Sequence, residues 1–306
     1  MSVVVVGSTF VDIKGYPFGT YIPAGRNAGR IVEVHGGVTR NIAEDIANVG
    51  VPSTYVSVVD ESGLSADVIA RLQSRGCDTS YIRRTTDGLG TWLAIFDETG
   101  DVVASISRRP DLTPIESILD ECGDQIFADA DGIAVELDID EPILGRVLDL
   151  AKRHGKKVYA PVTNMTIAAE RTQALGQVAC LVCNQQEAGI LFGENYDELS
   201  PEQMRTTLLD KIAAAGIQSM VVTMGSEGSV YAVAGGESGC CPAQKVDVVD
   251  TTGAGDAFFA GLVAGLTCGK CFADACAVGT RLASLVIETS ENVCPRIDPA
   301  ELGLSV

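Results

Sequence analysis

The chain has 306 residues, 46% of them hydrophobic, so it is long enough to bury a substantial core. Its 41 acidic residues outnumber 22 Lys and Arg residues, and the formal net charge of −19 disfavours binding to nucleic acid or to an anionic membrane. No long apolar run or basic N-terminal leader is present, so we expect a cytoplasmic protein whose partners are small molecules.

Strand-like and helix-like patterns alternate along the chain. Val3–Val6 is a β-branched run typical of a strand buried on both faces, and Ile42, Ile46 and Val49 repeat at helical spacing. This alternation predicts a parallel sheet with helices on both sides. The predicted elements are strand 3–6, helix 38–49, strand 54–58, helix 64–75, strand 132–136, helix 141–154, strand 157–160, strands 178–183 and 217–222, and helices at about 255–267 and 271–289.

Two regions interrupt this alternation. Residues 91–96 and 102–106 are predicted to form a β-hairpin around the glycine-containing turn 97–101, with Trp92 in its core. Together with residues 11–14 and 30–34, the hairpin is expected to form a small antiparallel sheet that projects from the main layers.

The segment Asp250-Thr251-Thr252-Gly253-Ala254-Gly255-Asp256-Ala257-Phe258 is the most informative part of the sequence. Gly253, Ala254 and Gly255 precede a strongly apolar helix, and backbone N–H groups at such a junction can bind an anion such as a phosphoryl group. An acid in this cradle cannot attract phosphate, so Asp256 is predicted to accept a proton from an attacking hydroxyl. The alternative is an ordinary tight turn in which the Asp caps the helix.

Residues 250–258 resemble the C-terminal signature of the ribokinase-like (PfkB) carbohydrate kinases, and residues 35–50 resemble their N-terminal signature, with a diglycine before an Asn on the first helical turn. The resemblance implies one ribokinase-like kinase domain over 1–306, a three-layer α/β sandwich with a central mainly parallel sheet. It also implies a small antiparallel β lid at about 10–34 and 86–110, which excludes water and in some relatives forms a homodimer contact.

Two further segments resemble elements of the same family. Asn184-Gln185-Gln186-Glu187 resembles the Asn-x-x-Glu element, so Asn184 is expected beside the nucleotide and Glu187 to act indirectly on Mg²⁺. The loop Thr223-Met224-Gly225-Ser226-Glu227-Gly228 resembles the one bordering ATP, which implies that Thr223, Gly225 and Gly228 bind the nucleotide. Each segment follows a predicted strand, so both belong at the carboxyl edge of the sheet, where open α/β folds bind ligands.

The resemblance also assigns the sugar side and a second cation. Asp12 matches the acid that binds sugar hydroxyls, with Gly37 and Asn41 completing this subsite. The alternatives are that Asn41 only caps its helix and that Asp12 lies in a surface turn. Asp250 and Thr252 match positions that in relatives help to hold a monovalent cation, which gives the hypothesis of K⁺ activation.

The residues around 7–15 and 37–43 are similar to the pseudouridine kinase branch, which implies phosphorylation of the 5′-hydroxyl of pseudouridine. Ala160-Pro161-Val162 departs from the Asp-Pro-Val of that branch, so base recognition is left open. The alternatives are a ribokinase or fructokinase type of sugar kinase and a sugar-binding sensor without activity. The ten cysteines include two Cys-x-x-Cys pairs that lie too far apart for a zinc ribbon, and are interpreted as reduced buried residues.

Overall fold

The computed structural model describes residues 1–98 and 101–306. Within these residues the strands are β1 (Val3–Val6), β2 (Phe10–Pro17), β3 (Gly29–Gly36), β4 (Ser53–Val59), β5 (Ile82–Arg84), β6 (Gly90–Phe96), β7 (Val102–Arg108), β8 (Gly132–Val135), β9 (Lys157–Pro161), β10 (Cys180–Asn184), β11 (Ser219–Thr223), β12 (Ser229–Val233) and β13 (Ser238–Cys241). The helices are α1 (Val38–Asn48), α2 (Gly63–Arg75), α3 (Thr113–Ala128), α4 (Glu141–His154), α5 (Met165–Glu170), α6 (Thr172–Leu175), α7 (Gln185–Phe192), α8 (Pro201–Ala215), α9 (Ala254–Thr267) and α10 (Phe272–Ile287).

The large sheet has the strand order β13-β12-β11-β10-β9-β8-β1-β4-β5. The strands from β11 to β5 in this order pair in parallel, whereas β12 pairs antiparallel with both of its neighbours, β11 and β13. The predicted mainly parallel sheet is therefore confirmed. The predicted helices and strands of this sheet agree with the observed bounds to within about two residues at each end.

Helices cover both faces of this sheet because its strands are apolar on both faces. In β1, Val4 and Val6 pack into the core beneath α3, α4 and α8. Val3 and Val5 point to the other face and pack with residues of α1, α9 and α10. All four valines are at most 3% exposed, as expected for a central strand that alternates its side chains between two buried layers.

The small sheet has the strand order β3-β2-β6-β7. The outer pairs β2–β3 and β6–β7 are antiparallel, whereas β2 and β6 run parallel in the centre. The predicted hairpin of β6 and β7 is confirmed, although its predicted turn includes residues 99 and 100, which lie outside the described residues. Since β2 begins only a few residues after β1 ends, the small sheet starts from the carboxyl edge of the large one.

Candidate active site

A cavity of about 620 Å³ lies at the carboxyl edge of the large sheet, where the small sheet meets it. Its wall combines side chains of the small sheet, of α1, of the loop after β8 and of the start of α9. Among the residues predicted from the sequence, the cavity brings together Asp12, Gly37, Asn41, Thr252, Gly253 and Asp256.

The anion cradle is built at the start of α9. Gly253 is the N-cap with a φ of 82°, a left-handed conformation that favours glycine. A Cβ on Gly253 would also lie 2.1 Å from the carbonyl oxygen of Asn292, so no larger residue fits. The first N–H groups of a helix have no carbonyl partner within it, and together with the helix dipole they attract an anion. This end of α9 can therefore bind a phosphoryl group.

Asp256 stands in the first turn of α9 and faces the cavity. The Nδ2 group of Asn41 donates a hydrogen bond of 2.8 Å to its Oδ2 atom. Burial raises the pKa of Asp256 to about 7, and the hydrogen bond from Asn41 lowers it, while the charge of Asp12 raises it. A carboxyl group with this pKa can accept a proton near neutral pH, which is the property expected of a general base.

The sugar-side residues lie in the same wall. Asp12 is on β2, and a Cβ on Gly36 would lie 2.6 Å from the Asp12 carboxylate, so the first glycine of the diglycine makes room for this acid. Burial raises the pKa of Asp12 to about 6, and the charges of Lys14 and Arg40 lower it. Asn41 does not cap α1, because Gly37 is the N-cap and the Asn41 side chain reaches Asp256 instead.

Three acids that we did not predict, Glu136, Asp138 and Asp140, line the cavity after β8. Glu136 is 9% exposed, and burial together with the charges of Asp138 and Asp256 raises its pKa to about 8. Asp138 accepts hydrogen bonds from the backbone N–H and the hydroxyl of Thr163, at 2.9 and 2.5 Å. Their position resembles that of Asn184, because these acids come within five residues after the buried parallel strand β8, and Asn184 is the last residue of the parallel strand β10.

The predicted nucleotide residues lie further along the same edge. Asn184 ends β10 and pairs in register with Thr223 at the end of β11. Asn184 and Glu187 form a capping box at the start of α7, with hydrogen bonds of 2.8 Å to the Glu187 N–H and 2.7 Å to the Asn184 N–H. Burial raises the pKa of Glu187, and the nearby charge of Asp138 raises it further. The structure therefore places this element next to the cavity but not in its wall.

The residues predicted to hold potassium have other partners. The Oδ1 atom of Asp250 accepts hydrogen bonds from the Thr252 N–H and hydroxyl, at 2.8 and 2.7 Å. Its Oδ2 atom lies 4.0 Å from the ammonium group of Lys14, which is 4% exposed. Because the carboxylate already faces a buried positive charge, these two residues do not form a fitting site for K⁺.

The small sheet contributes an aromatic and cationic part of the wall that sequence reasoning missed. Phe10 and Trp92 both line the cavity, so Trp92 is not confined to a hairpin core, although it does contact Phe96 edge-on at 6.4 Å between ring centroids. Arg109, just after β7, also lines the cavity. Aromatic faces and a guanidinium group are suited to a planar, polar ring system.

The cavity is strongly acidic. Five carboxyl groups line it, from Asp12, Glu136, Asp138, Asp140 and Asp256. Among the described residues no group of three or more His, Cys, Asp or Glu side chains is arranged to hold a metal ion. A divalent cation that arrives with a nucleotide, bound mainly by phosphate oxygens and water, would fit this donor set better than one in an all-protein cage.

Comparison with known proteins gives a consistent result. The model of the pfkB family of carbohydrate kinases matches residues 1–295. The guanosine-inosine kinase of Exiguobacterium acetylicum is 30% identical over 294 residues, which covers 95% of each chain. The pseudouridine kinase of Escherichia coli K12 is 26% identical over 276 residues, covering 89% of this chain and 86% of the relative.

Solved structures confirm the ribokinase-like fold. The structure of Arabidopsis thaliana ribokinase complexed with ribose and ATP superimposes with a TM-score of 0.87 and 22% identity, covering 98% of both chains. Among the described residues, no helix is both long and apolar enough to span a membrane.

Proposed function

The chain belongs to the pfkB family of carbohydrate kinases, and on this premise we propose that it transfers the γ-phosphoryl group of ATP to a hydroxyl of a nucleoside, with Asp256 as the base. The observation that carries the proposal is the Asp256 carboxylate, which lies in the cavity wall within the first turn of α9. A proton acceptor and a helix N-terminus that can bind phosphate thus occupy the same helical turn.

The proposed reaction proceeds by direct transfer. The substrate hydroxyl lies within ~3 Å of the Asp256 carboxylate, gives its proton to that carboxylate and forms a bond to the γ-phosphorus as the bond to ADP breaks. The N–H groups at Gly253 and Gly255 stabilise the charge on the transferred phosphoryl oxygens, whereas the Ala254 N–H donates to the Thr251 carbonyl at 3.2 Å and has to turn from it to contribute. The sugar hydroxyls are held by Asp12, Asn41 and the backbone at Gly37, since two carboxylate oxygens can accept from neighbouring hydroxyls.

ATP is proposed to bind along the edge formed by β10 and β11, next to Asn184, Thr223, Gly225 and Gly228. Its phosphates would then meet the acidic cavity, where their charge has to be offset. The acids near this edge, Asp138 and Glu187, offer oxygen ligands to Mg²⁺ or to its waters, and bound Mg²⁺ would supply that neutralising charge. We assign no step to K⁺, because Lys14 already faces Asp250.

The substrate is proposed to be a nucleoside rather than a free sugar. A cavity of about 620 Å³ extends beyond the sugar subsite to Phe10, Trp92 and Arg109, which suit a planar base. The residues near the diglycine favour pseudouridine, whereas the more similar relative is a guanosine-inosine kinase. These three nucleosides share a ring N–H beside a carbonyl group, which Asp140 and Arg109 can recognise as acceptor and donor.

A substrate panel tests this proposal. ADP release is measured with guanosine, inosine, pseudouridine, uridine, adenosine, ribose and fructose, in the presence of ATP and Mg²⁺. We expect a nucleoside that has this N–H and carbonyl pair (guanosine, inosine, pseudouridine or uridine) to give the highest kcat/KM, and adenosine, which lacks the pair, to be poor. A higher kcat/KM for ribose or fructose would show a sugar kinase instead. Tight nucleoside binding in calorimetry without any ADP release would show a binding protein that has lost activity.

A further inference from the structure

Asn41 contacts Asp256 through its side-chain amide, and the orientation of this amide determines whether a hydrogen-bond donor or an acceptor faces the carboxyl group. An Asn side chain has an NH₂ group that only donates and an oxygen that only accepts. In this structure the Asn41 NH₂ group donates a hydrogen bond of 2.8 Å to the Asp256 Oδ2 atom, and this bond stabilises the ionised carboxylate. If the amide rotated by half a turn, its oxygen would face Asp256 and would favour the protonated acid. The orientation of this amide thus affects how readily Asp256 can act as a base.

Arg40 contacts the other end of the same amide. Its Nη1 group donates two hydrogen bonds, one of 2.9 Å to the Asn41 Oδ1 atom and one of 3.2 Å to the carbonyl oxygen of His35. Neighbouring residues on a helix do not normally face each other, so this contact requires the long Arg40 side chain to fold back over the helix. A guanidinium group has no acceptor atom, so it can bind only the oxygen of the amide.

Arg40 is itself held in place from the opposite side. It is 1% exposed, and its Nη2 group donates to Glu44, which is fully buried. Glu44 does not depend on Arg40 alone, because the Arg71 Nε group also donates to its two oxygens, at 2.8 and 3.1 Å. The Arg75 Nε group lies 3.6 Å away. Three arginines thus neutralise the charge of Glu44. This leaves the Nη1 group of Arg40 available to donate to Asn41.

From these contacts we propose that Arg40 is a positioning residue, which fixes the Asn41 amide so that its NH₂ group faces Asp256. This inference rests on the proposed role of Asp256 as the base. The consequence is a lower pKa of Asp256 than the cavity would otherwise impose, and so a larger fraction of active enzyme in neutral and mildly acidic solution. The charge of Arg40 also lowers the pKa of Asp256 directly, and the other titratable groups that interact with Asp256 are Asp12 on β2, Asp45 on α1 and Glu136 after β8.

The test is the pH profile of kcat/KM for the double variant Arg40→Met with Glu44→Gln, which removes both members of the buried pair together. Loss of one hydrogen bond to a charged group corresponds to about one pKa unit. We therefore expect kcat/KM to fall about tenfold at pH 6 and to match the wild type at pH 9. The single variant Arg40→Lys keeps a donor and the positive charge, so its kcat/KM at pH 6 should fall less than that of the double variant.

A double-mutant cycle separates positioning from a direct effect of the Arg40 charge. In an Asn41→Ala background, the shift caused by the Arg40 and Glu44 substitutions should shrink to the direct effect of the lost Arg40 charge, because the amide is absent. A shift of the same size in that background would overturn the inference, as would an unchanged profile in the double variant. Near-normal turnover of Asp256→Asn would instead refute the proposed function, so the two failures are distinguishable.

Discussion

Replacement of Asp256 by Asn tests the proposed chemistry most directly. Asn has nearly the same shape but cannot accept the substrate proton at neutral pH, and a positioned general base typically contributes about 100-fold or more to the rate. We therefore expect kcat to fall at least ~100-fold, equivalent to about 2.7 kcal/mol in the activation barrier. The amide oxygen of the new side chain can still accept the hydrogen bond from Asn41, so the cavity should keep its shape.

The same substitution should increase the stability of the fold at neutral and higher pH, although it lowers activity. The pKa of Asp256 is raised from 3.8 to about 7 in the folded protein, so the folded state binds more protons than the unfolded state between these values. The stabilising contribution of this group is present below pH 4 and is lost as pH rises through about 7. Above that pH the ionised carboxylate destabilises the fold by up to about 4 kcal/mol, which Asp256→Asn would remove.

The assay combines turnover with thermal unfolding. We expect Asp256→Asn to lose activity while its Tm rises at pH 8, and to show a smaller rise in Tm at pH 5. Asp149→Asn, on the exposed face of α4, is the matched control and should change neither quantity. Turnover of Asp256→Asn within a few-fold of wild type would remove the carboxylate from the mechanism. A fall in Tm at pH 8 would contradict the burial argument for its pKa.

Three further predictions concern the same cavity. The kcat/KM of the wild type should increase with pH through about 7 as Asp256 loses its proton, and a profile that stays flat from pH 5 to 8 would contradict the pKa argument. Turnover should be equal in sodium-only and potassium buffers, because Lys14 already faces Asp250; activation by potassium would show that the cation binds despite this ammonium group. Gly253→Ala should lower both Tm and turnover, because its Cβ would collide with Asn292, whereas Gly255→Ala, with open space around an added Cβ, should keep the wild-type Tm in calorimetry.

The sequence predicted much of the fold because its signals are local. A β-branched run such as Val3–Val6 and the helical repeat of Ile42, Ile46 and Val49 depend only on near neighbours, and the observed elements match them. Helix α3 was missed although Ile115, Ile118, Leu119 and Ile126 are buried on one face of it.

The candidate site was predictable where residue type and position at a strand end coincide. Asn184 and Thr223 were expected at one edge, and the register of β10 and β11 brings them side by side. Glu136 and Asp138 carry the same signal but lack a recognisable motif. Lys14 could not have been assigned to Asp250 from its position in a strand, because that contact joins residues distant in the chain.

The sequence by itself determined the α/β alternation, the helix N-terminus with its glycines and the acid that follows them, since each depends on the backbone preferences of adjacent residues. Only the tertiary structure decided what surrounds that acid. Asn41 and Asp256 are 215 residues apart, and their hydrogen bond exists because α1 and α9 pack on the same face of the sheet. The pKa of Asp256 and the orientation of the amide beside it follow from burial and from the guanidinium group of Arg40, which are properties of packing rather than of spacing along the chain.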